Sequence, residues 1–475
     1  PMSAVWIGFI VYLALTLVVG LATYKLNETQ EDFLLAGRKL NVWVATFSER
    51  ASGESAWLLL GLPAAVVTLG LVEVWTAVGC VTGIVFAWFV VAEGLRRDTE
   101  ATGALTLPEW LVRRHPDQAM RIRVVASAII LFFYGFYLAA QFNGAGTVLN
   151  LTFGIDKFTG IVIGATVIIA YTMLGGFLAV AWTDFLQAIL MIGTLVILPT
   201  VGLWEMSQQD SLREVSEATR SWTGGASGLA AAAAVLSGLS WGFGYCGQPH
   251  TITRFMSIDR PEQVRVGRVI AFAWAAPAFA GALVIGWVGA RLVDTGALTD
   301  VEQLMPHLAT ELLPGWLAGI FISGAVAAMM STADSQLLVG TSSVAEDVVR
   351  RGFGVELSHR GMVKLSRLVT LGLGLGGFFL AVFSADLIFQ LVSYAWSGLG
   401  SSFGPAILLT LYWRRTRGAG VVAGMATRAI VTVGWSALPA NEFVHARLVS
   451  FVTALAVTVV VSLAAARRTP TGAGP

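Results

Sequence analysis

Long apolar segments separated by short polar ones dominate the hydrophobic pattern of this chain. A helix that crosses about 30 Å of hydrocarbon needs about 20 apolar residues. The first such segment, residues 5–24, has no basic region before it and no cleavage-type site after it, so we interpret it as a retained helix and not a signal peptide. The pattern predicts about thirteen spans, centred near residues 14, 55, 84, 136, 165, 192, 240, 279, 328, 372, 400, 427 and 457.

The composition agrees with a membrane protein and excludes a large soluble enzyme. Hydrophobic residues make up 56% of the 475 residues and charged residues 12%, with a mean hydropathy of +0.74. A soluble protein carries about twice that charged fraction, because polar groups must cover its surface. The net charge of +1 provides no basic field for nucleic acid. The five histidines and two cysteines show no metal-binding spacing.

Basic residues are distributed unequally between two sets of loops. Loops after odd-numbered spans, with the C-terminal segment, hold 23 lysines and arginines, whereas loops after even-numbered spans hold 5. Cytoplasmic loops of membrane proteins carry the excess of basic residues. The alternation therefore predicts an N-terminus outside the cell and a C-terminus in the cytoplasm.

Two predicted spans are interrupted by residues that weaken a helix. The second span has a small and polar run at residues 51–55, and the seventh has four glycines and a proline between residues 238 and 249. Glycine costs a helix about 1 kcal/mol and proline about 3 kcal/mol. Backbone freed in this way within a membrane must face protein or a water-filled cavity. The alternative interpretation is close packing of small residues against neighbouring helices.

The two interrupted spans begin two sets of five helices, spans two to six and seven to eleven. Because five is odd, the second set runs upside down relative to the first. Interrupted helices at matching positions of inverted halves indicate a secondary transporter with a midplane site. The sequence predicts one transporter domain over residues 1–475, with an extra helix and loop at 1–40, a first repeat at 41–206, an inverted repeat at 226–413 and two further helices at 414–475.

Charged and hydroxyl side chains lie within the predicted spans. Glu54 is in the first interruption, Asp184 opens the sixth span, and Asp334 is in the ninth. A carboxylate at this depth is usually paired or lines an aqueous path. Ser331, Thr332 and Ser335 give the ninth span a polar face, and hard cations such as Na⁺ prefer oxygen ligands. The alternative is bonding of these hydroxyls to their own helix carbonyls.

Two adjacent charges, Glu49 and Arg50, precede the first interruption. On a helix, neighbouring side chains point about 100° apart. We therefore expect these two residues to have different partners.

At these positions the sequence resembles the sodium:solute symporter family, and the similarity covers nearly the whole chain. The resemblance implies an all-helical LeuT-type inverted five-plus-five fold with one extra N-terminal helix and two beyond the core. The motifs that carry it are Ala51-Ser52, Ser55-x-Trp57-Leu58-Leu59-x-Gly61-Leu62-Pro63, Gly176-Phe177-Leu178-Ala179-Val180-x-Trp182-Thr183-Asp184, Trp241-Gly242-x-Gly244-Tyr245-x-Gly247-Gln248-Pro249-His250, Met330-Ser331-Thr332, Ser393-Tyr394-Ala395-Trp396-x-Gly398-x-Gly400 and Phe403-Gly404-Pro405.

The resemblance also implies roles for individual residues. The principal Na⁺ site would use the backbone carbonyls of Ala51, Glu54 and Ala328 and the hydroxyls of Ser331 and Thr332. A second cation site, present in some members, would use Asp184, Ser331, Asp334 and Ser335. The substrate pocket would be formed by Ser55, Trp57, Tyr137, Trp241, Tyr245 and Pro249.

The function implied is secondary transport and not enzyme catalysis. Na⁺ would enter with a small amino acid, with L-proline the expected substrate, across the cytoplasmic membrane of a bacterium. This chain departs from the family's pattern at two adjacent positions, which leaves an alternative open. The bacterial members that the chain resembles have an aspartate at the position of Gly53 and an uncharged residue at the position of Glu54. A symporter of the same fold for another small solute, coupled to H⁺ through Glu54 or Asp334, is therefore the second hypothesis.

Overall fold

The described part of the chain is entirely helical apart from short turns and one isolated bridge between Leu40 and Ile258. The computed structural model describes residues 2–24, 34–174, 176–384 and 387–468. Part of the predicted N-terminal loop, residues 25–33, and the last seven residues lie outside this range. The first half contains helices α1 (Met2–Tyr24), α2 (Val42–Ala56), α3 (Leu62–Leu69), α4 (Val74–Phe86), α5 (Ala92–Thr102), α6 (Leu107–Arg114), α7 (Ala119–Phe153), α8 (Lys157–Leu174), α9 (Phe177–Gln208) and α10 (Glu217–Arg220).

Ten helical segments of the described chain are long and apolar enough to cross a membrane. Two shorter apolar helices, Ala4–Thr16 and Lys157–Ala170, coincide with the predicted first and fifth spans. A 25-residue helix occupies the predicted eleventh position. The second half contains α11 (Gly228–Leu239), α12 (Pro249–Ser257), α13 (Val264–Leu292), α14 (Leu304–Leu312), α15 (Gly315–Ser342), α16 (His359–Phe383), α17 (Ile388–Tyr412), α18 (Gly418–Ser436), α19 (Ala440–Phe443) and α20 (Ala446–Arg468).

The second predicted span is broken where the sequence indicated. Asn41 begins it, accepting a hydrogen bond from the Trp43 amide at 2.8 Å, which is the usual N-cap arrangement. The helix is interrupted at Ser55, whose φ of 34° and ψ of −169° are not helical. A serine at positive φ is strained, so surrounding packing must hold it there. A π-type turn, Trp57–Gly61, then leads into α3.

The seventh predicted span is also broken, and its glycines serve close packing as well. Between α11 and α12, residues Ser240–Cys246 form a tight 3₁₀ segment. A methyl group on Gly244 would overlap the Trp396 indole, and one on Gly247 would overlap the backbone of Gly400. The glycines of this span therefore lie at an interruption of the helix and also allow close packing, because the broken helix crosses α17 at backbone contact distance.

Helix α15 lies at the centre of the bundle. It packs against α1, α2, α7 and α9, and every residue from Ala327 to Leu338 is buried. The 3₁₀ segment packs against α17, α4 and α20. The interrupted segments of the two broken spans are consequently packed mainly against other helices, whereas much of α11 is exposed on the protein surface.

Candidate functional site

The first broken helix and α15 are joined through backbone carbonyls and hydroxyls. Ser331 donates to the carbonyl of Ala51 at 3.0 Å and to that of Ala328 at 3.1 Å. Thr332 donates to the carbonyl of Ser52 at 2.9 Å. All of these residues are buried. The structure thus brings Ala51, Ala328 and Ser331, three of the five residues predicted for the principal Na⁺ site, into direct contact through oxygen atoms, and Thr332 contacts the adjacent carbonyl of Ser52.

Glu54, the fifth residue of that predicted set, is oriented differently. Its carbonyl accepts the Trp57 amide one turn further along the chain. Its carboxylate accepts hydrogen bonds from the Tyr245 hydroxyl at 3.1 Å and from Arg50 at 2.8 Å. The Glu54 side chain therefore joins the two broken helices to each other, a role distinct from that of its carbonyl.

Glu49 and Arg50 form an ion pair with each other, so the expectation of separate partners was wrong. Arg50 donates through Nε to Glu49 at 2.6 Å and also through Nη2, while its Nη1 binds Glu54. The Trp88 indole donates to Glu49 at 3.1 Å. The long arginine side chain bends back along the helix, which overcomes the 100° separation of the two Cβ atoms. One buried cation thereby serves two buried carboxylates.

A second group of oxygens lies beside the first, on the same helices. Asp184 accepts hydrogen bonds from Ser48 at 2.7 Å and from Ser52 at 3.0 Å. Ser52 also lies 3.0 Å from the Ser335 hydroxyl, which donates to Asp334 at 3.3 Å. One oxygen of Asp184 and one of Asp334 are buried with no hydrogen-bond partner. Three of the four residues predicted for a second cation site, Asp184, Asp334 and Ser335, are therefore brought together.

Arg254 occupies the centre of this second group, although its place in the sequence puts it among the basic residues of a loop predicted to be cytoplasmic. Its guanidinium is 1% exposed and lies 2.9 Å from Asp184. It also donates to Ser335, to Ser48 at 3.1 Å and to the His250 carbonyl at 2.7 Å. Its position one turn after Pro249, within the second half of a broken span, was the available signal. In the described chain, Arg254 is the only basic residue paired with Asp184, and none is paired with Asp334.

Aromatic side chains from both broken helices and α17 form a cluster beside the interruption. The Trp57 and Trp241 rings stack at 4.8 Å with an angle of 14°. The Tyr245 ring packs edge-on against Trp396 at 4.7 Å, and the Trp396 indole donates to the Trp241 carbonyl at 3.0 Å. The Trp57 and Trp241 indole nitrogens are buried without an acceptor. These two N–H groups are therefore buried donors whose hydrogen bonds are unsatisfied in the structure.

Tyr137 links α7 to the break. Its hydroxyl donates to Ser55 at 3.5 Å, and its ring packs against Trp396 at 6.5 Å. The Gln141 side chain, which the sequence did not single out, accepts the free Ala56 amide at 3.2 Å. An amide exposed by a helix break needs such an acceptor. Gln141 and Trp396 thus contact Ala56 and Tyr137 beside the break, which composition alone could not reveal.

Pro249 is the one predicted pocket residue that lines a different space. It begins α12 and faces a cavity of about 20 Å³. None of the other five predicted pocket residues lines this cavity, whose walls include Phe177, Thr253, Leu338 and Asp347. The structure therefore groups Ser55, Trp57, Tyr137, Trp241 and Tyr245 and places Pro249 beside a neighbouring space.

One titratable group outside the spans holds the start of α17. The Glu302 carboxylate accepts the Ile388 amide at 3.0 Å and the Phe389 amide at 3.1 Å. Burial raises the pKa of Glu302 to about 7, despite these two hydrogen bonds, which favour the charged form. This carboxyl connects the loop before α14 to the helix that carries Trp396.

Comparison with solved structures supports the architecture. A structure of a Na⁺-coupled sialic acid symporter aligns with a TM-score of 0.78 over 97% of this chain and 98% of that one, at 18% identity. The transporter MhsT in complex with L-phenylalanine aligns with a TM-score of 0.55 over 89% of this chain and 98% of that one, at 13% identity. At such identities the likeness shows the fold, which is the LeuT-type fold of these transporters.

Sequence comparison is more specific. The high-affinity proline transporter PutP of Bacillus subtilis is 35% identical over 443 residues, which is 92% of this chain and 93% of the relative. The sodium/proline symporter of Escherichia coli is 35% identical over 437 residues, 90% of this chain and 87% of the relative. A profile of the sodium:solute symporter family matches residues 33–427. The chain is therefore a multi-pass membrane protein that belongs to the sodium:solute symporter family.

Proposed function

We propose that this chain couples the entry of Na⁺ to the uptake of L-proline by alternating access. The observation that carries the proposal is the junction of the first helix break with α15, where the carbonyls of Ala51 and Ser52 meet the hydroxyls of Ser331 and Thr332. Relatives that resemble the chain over nine-tenths of its length are named for proline transport. The chain would therefore be a transporter and not an enzyme.

Na⁺ binding would tighten the junction between α2 and α15. Hydroxyl groups that now donate to Ala51 and Ala328 have lone pairs of their own, so rotation of the Ser331 hydroxyl lets carbonyl and hydroxyl oxygens face one ion. The Glu54 carbonyl would complete the set. Because the ligands come from both helices, the ion stabilises their contact and fixes the strained Ser55 segment.

The substrate pocket would lie between the broken helices and α7. Aromatic walls suit an apolar pyrrolidine ring, whereas the carboxylate needs hydrogen-bond donors. The buried indole N–H groups of Trp57 and Trp241 are donors without an acceptor. Ser55 and Tyr137 add hydroxyls at the break, and Tyr245 joins the pocket to Glu54. Pro249 would line the neighbouring cavity and not the substrate pocket.

The Asp184 and Asp334 group would hold a further positive charge. With both carboxylates ionised, Arg254 compensates one of the two buried negative charges. An uncompensated buried charge is strongly unfavourable, so a second cation at Asp184, Asp334 and Ser335 would complete the balance. The excess of one buried carboxylate is equally consistent with the second candidate function, in which H⁺ replaces Na⁺ at Asp334 or Glu54.

The proposed arrangement in the membrane follows from the loops and the repeat. Thirteen spans would place the N-terminus outside and the C-terminus in the cytoplasm of a bacterial inner membrane. Residues 41–206 and 226–413 would be the inverted halves, preceded by the helix of 1–40 and followed by 414–475. Cysteine labelling of single exposed residues from either side of the membrane tests this topology.

Uptake of labelled L-proline into proteoliposomes tests the function. Gradients of Na⁺, Li⁺ and H⁺ and the membrane potential are each varied alone. One Na⁺ entering at −100 mV contributes about 2.3 kcal/mol, and a tenfold gradient adds about 1.4 kcal/mol. Together these support roughly 500-fold accumulation of a zwitterion, and two cations would square that factor. Uptake that persists without Na⁺ and collapses with the pH gradient would select the proton-coupled alternative.

A further inference from the structure

Two buried arginines lie near the aromatic cluster without a carboxylate partner. Arg428 on α18 is 0% exposed and Arg447 on α20 is 4% exposed. In the part of the chain that the structure describes, neither forms an ion pair with an acidic side chain. Burying an arginine without a counter-charge is costly, so the protein must gain something from keeping two there.

The Arg447 guanidinium lies directly against a predicted pocket residue. Its central carbon is 4.3 Å from the centre of the Trp241 ring, the same ring that stacks on Trp57. Its nitrogens donate to Ser393, to Ser240 at 3.3 Å and to the Ser237 carbonyl at 3.3 Å. All of these hydrogen-bond partners are neutral. They orient the guanidinium without neutralising its charge.

The surroundings of Arg447 keep the local charge positive. His445 Nε2 lies 3.3 Å from Arg447, and burial together with that neighbouring cation lowers the pKa of His445 well below its usual value, so the imidazole is neutral. Arg428 donates to the Arg447 carbonyl at 3.2 Å, and its own Nη1 is buried with no acceptor. Among the described residues, Glu73 is the carboxylate that acts on Arg447 electrostatically. Two arginines against one glutamate leave at least one positive charge.

The position of this charge indicates which ligand it meets. Arg447 follows the first residue of α20, and Ser393 is in the second turn of α17, at the ends that the loop charges predict to be external. The Trp241 ring, whose indole N–H has no acceptor, contacts both Arg447 and Trp57. A zwitterion entering from outside would pass Arg447 before it reached the pocket.

We propose that Arg447 forms an external carboxylate subsite, in which its guanidinium and the Trp241 indole N–H bind the carboxylate of the entering amino acid. This inference rests on the proposed function for the identity of the amino acid. A guanidinium and a carboxylate form charge-assisted hydrogen bonds with two well-matched donors. Arg428, behind Arg447, adds positive potential without touching the ligand.

The test compares L-proline with L-prolinamide, which keeps the ring and amine but lacks the carboxylate. Both are used as competitors of labelled L-proline on the purified protein, with sodium HEPES as the sodium source because its anion is bulky. In Arg447→Gln, the concentration of L-proline for half-maximal competition should rise about tenfold or more, while that of L-prolinamide stays unchanged. Arg447→Lys, which keeps the charge, should give an intermediate value and covers the case in which Arg447→Gln does not fold.

Arg291→Gln is the matched control, since Arg291 lies over the Trp287 ring at 6.0 Å and contacts no predicted pocket residue. Arg291→Gln should leave the concentrations of L-proline and L-prolinamide for half-maximal competition unchanged. If the concentration for half-maximal competition changes equally for both ligands in the Arg447 variants, or changes for neither, the proposed subsite is wrong. A requirement for chloride that disappears in Arg447→Gln, with the ratio of the two competitors intact, would also overturn it, because the anion would then be chloride.

Sodium acetate and acetamide separate failure of the subsite from failure of the proposed function. Acetate carries only the carboxylate, so it should raise the unfolding temperature of the wild type, and acetamide should not. The acetate effect should be lost in Arg447→Gln and kept in Arg291→Gln. If L-proline does not bind but acetate behaves as stated, the transport proposal fails and the subsite stands. If L-proline binds and acetate has no effect that depends on Arg447, the subsite fails alone.

Discussion

Arg254 donates a hydrogen bond to Asp184 across 2.9 Å, and both side chains are almost wholly buried. The arginine comes from the second broken span and the aspartate from α9, so the contact joins the two halves of the predicted repeat. Ser335 of α15 completes the contact by accepting from the same guanidinium. This pair therefore links the proposed ion sites to both broken spans.

Breaking this pair should be far more damaging than removing it entirely. Arg254→Gln leaves Asp184 as a buried charge without its partner, which costs roughly 3–5 kcal/mol. We expect a lower unfolding temperature for Arg254→Gln, measured on protein in detergent. The double variant with Asp184→Asn should recover part of the loss, because no charge then remains unpaired. Additive losses in the double variant would show that the two side chains do not interact.

The hydroxyls on α15 should set the Na⁺ requirement. Ser331→Ala and Thr332→Ala each remove an oxygen that faces the carbonyls of the first break, so the Na⁺ concentration for half-maximal uptake should rise. Ser323→Ala is the matched control, since that buried hydroxyl of α15 bonds only to the Gly319 carbonyl of its own helix. Unchanged Na⁺ dependence in both site variants would remove those hydroxyls from the site.

Trp241 should contribute to substrate binding and not to ion binding. Trp241→Ala removes the ring that stacks on Trp57 and lies under Arg447. We expect weaker L-proline binding with Na⁺ binding largely intact, measured separately by isotope binding to purified protein. Trp204→Ala, at an exposed position on α9, should change neither. Loss of Na⁺ binding with substrate binding spared would contradict the pocket assignment.

Stability should fall as pH rises through the range in which Glu302 titrates. The folded protein holds this proton up to a pKa of about 7, compared with a usual value of 4.5, so the stabilising contribution is complete below pH 4.5 and is lost as pH rises through 7. The unfolding temperature should therefore decrease between pH 5 and pH 8. Glu302→Gln should reduce that decrease, whereas Glu214→Gln, in an exposed loop, should leave it unchanged. An identical pH profile in Glu302→Gln would exclude Glu302 as its source.

Much of the proposed principal site could be predicted from local sequence. The run at 51–55 weakens its helix whatever surrounds it, and Ser331 and Thr332 lie four and three residues before Ser335, so both border one polar face of their helix. Their meeting with Ala51 and Ser52 was therefore expected once both were placed at mid-bilayer. Pro249 was less predictable, because a residue at a helix start can face either of two adjoining spaces.

The sequence by itself determined the apolar spans, the two interruptions and the motifs of the family, since hydrophobicity and helix propensity are properties of short segments. Only the tertiary structure decided the partners of the buried charges. Arg50 folds back onto Glu49, Arg254 reaches Asp184, and Arg447 lies over Trp241. Long flexible side chains can reach in many directions, and low-dielectric surroundings make the pairing of charges depend on the packing of helices far apart in the chain.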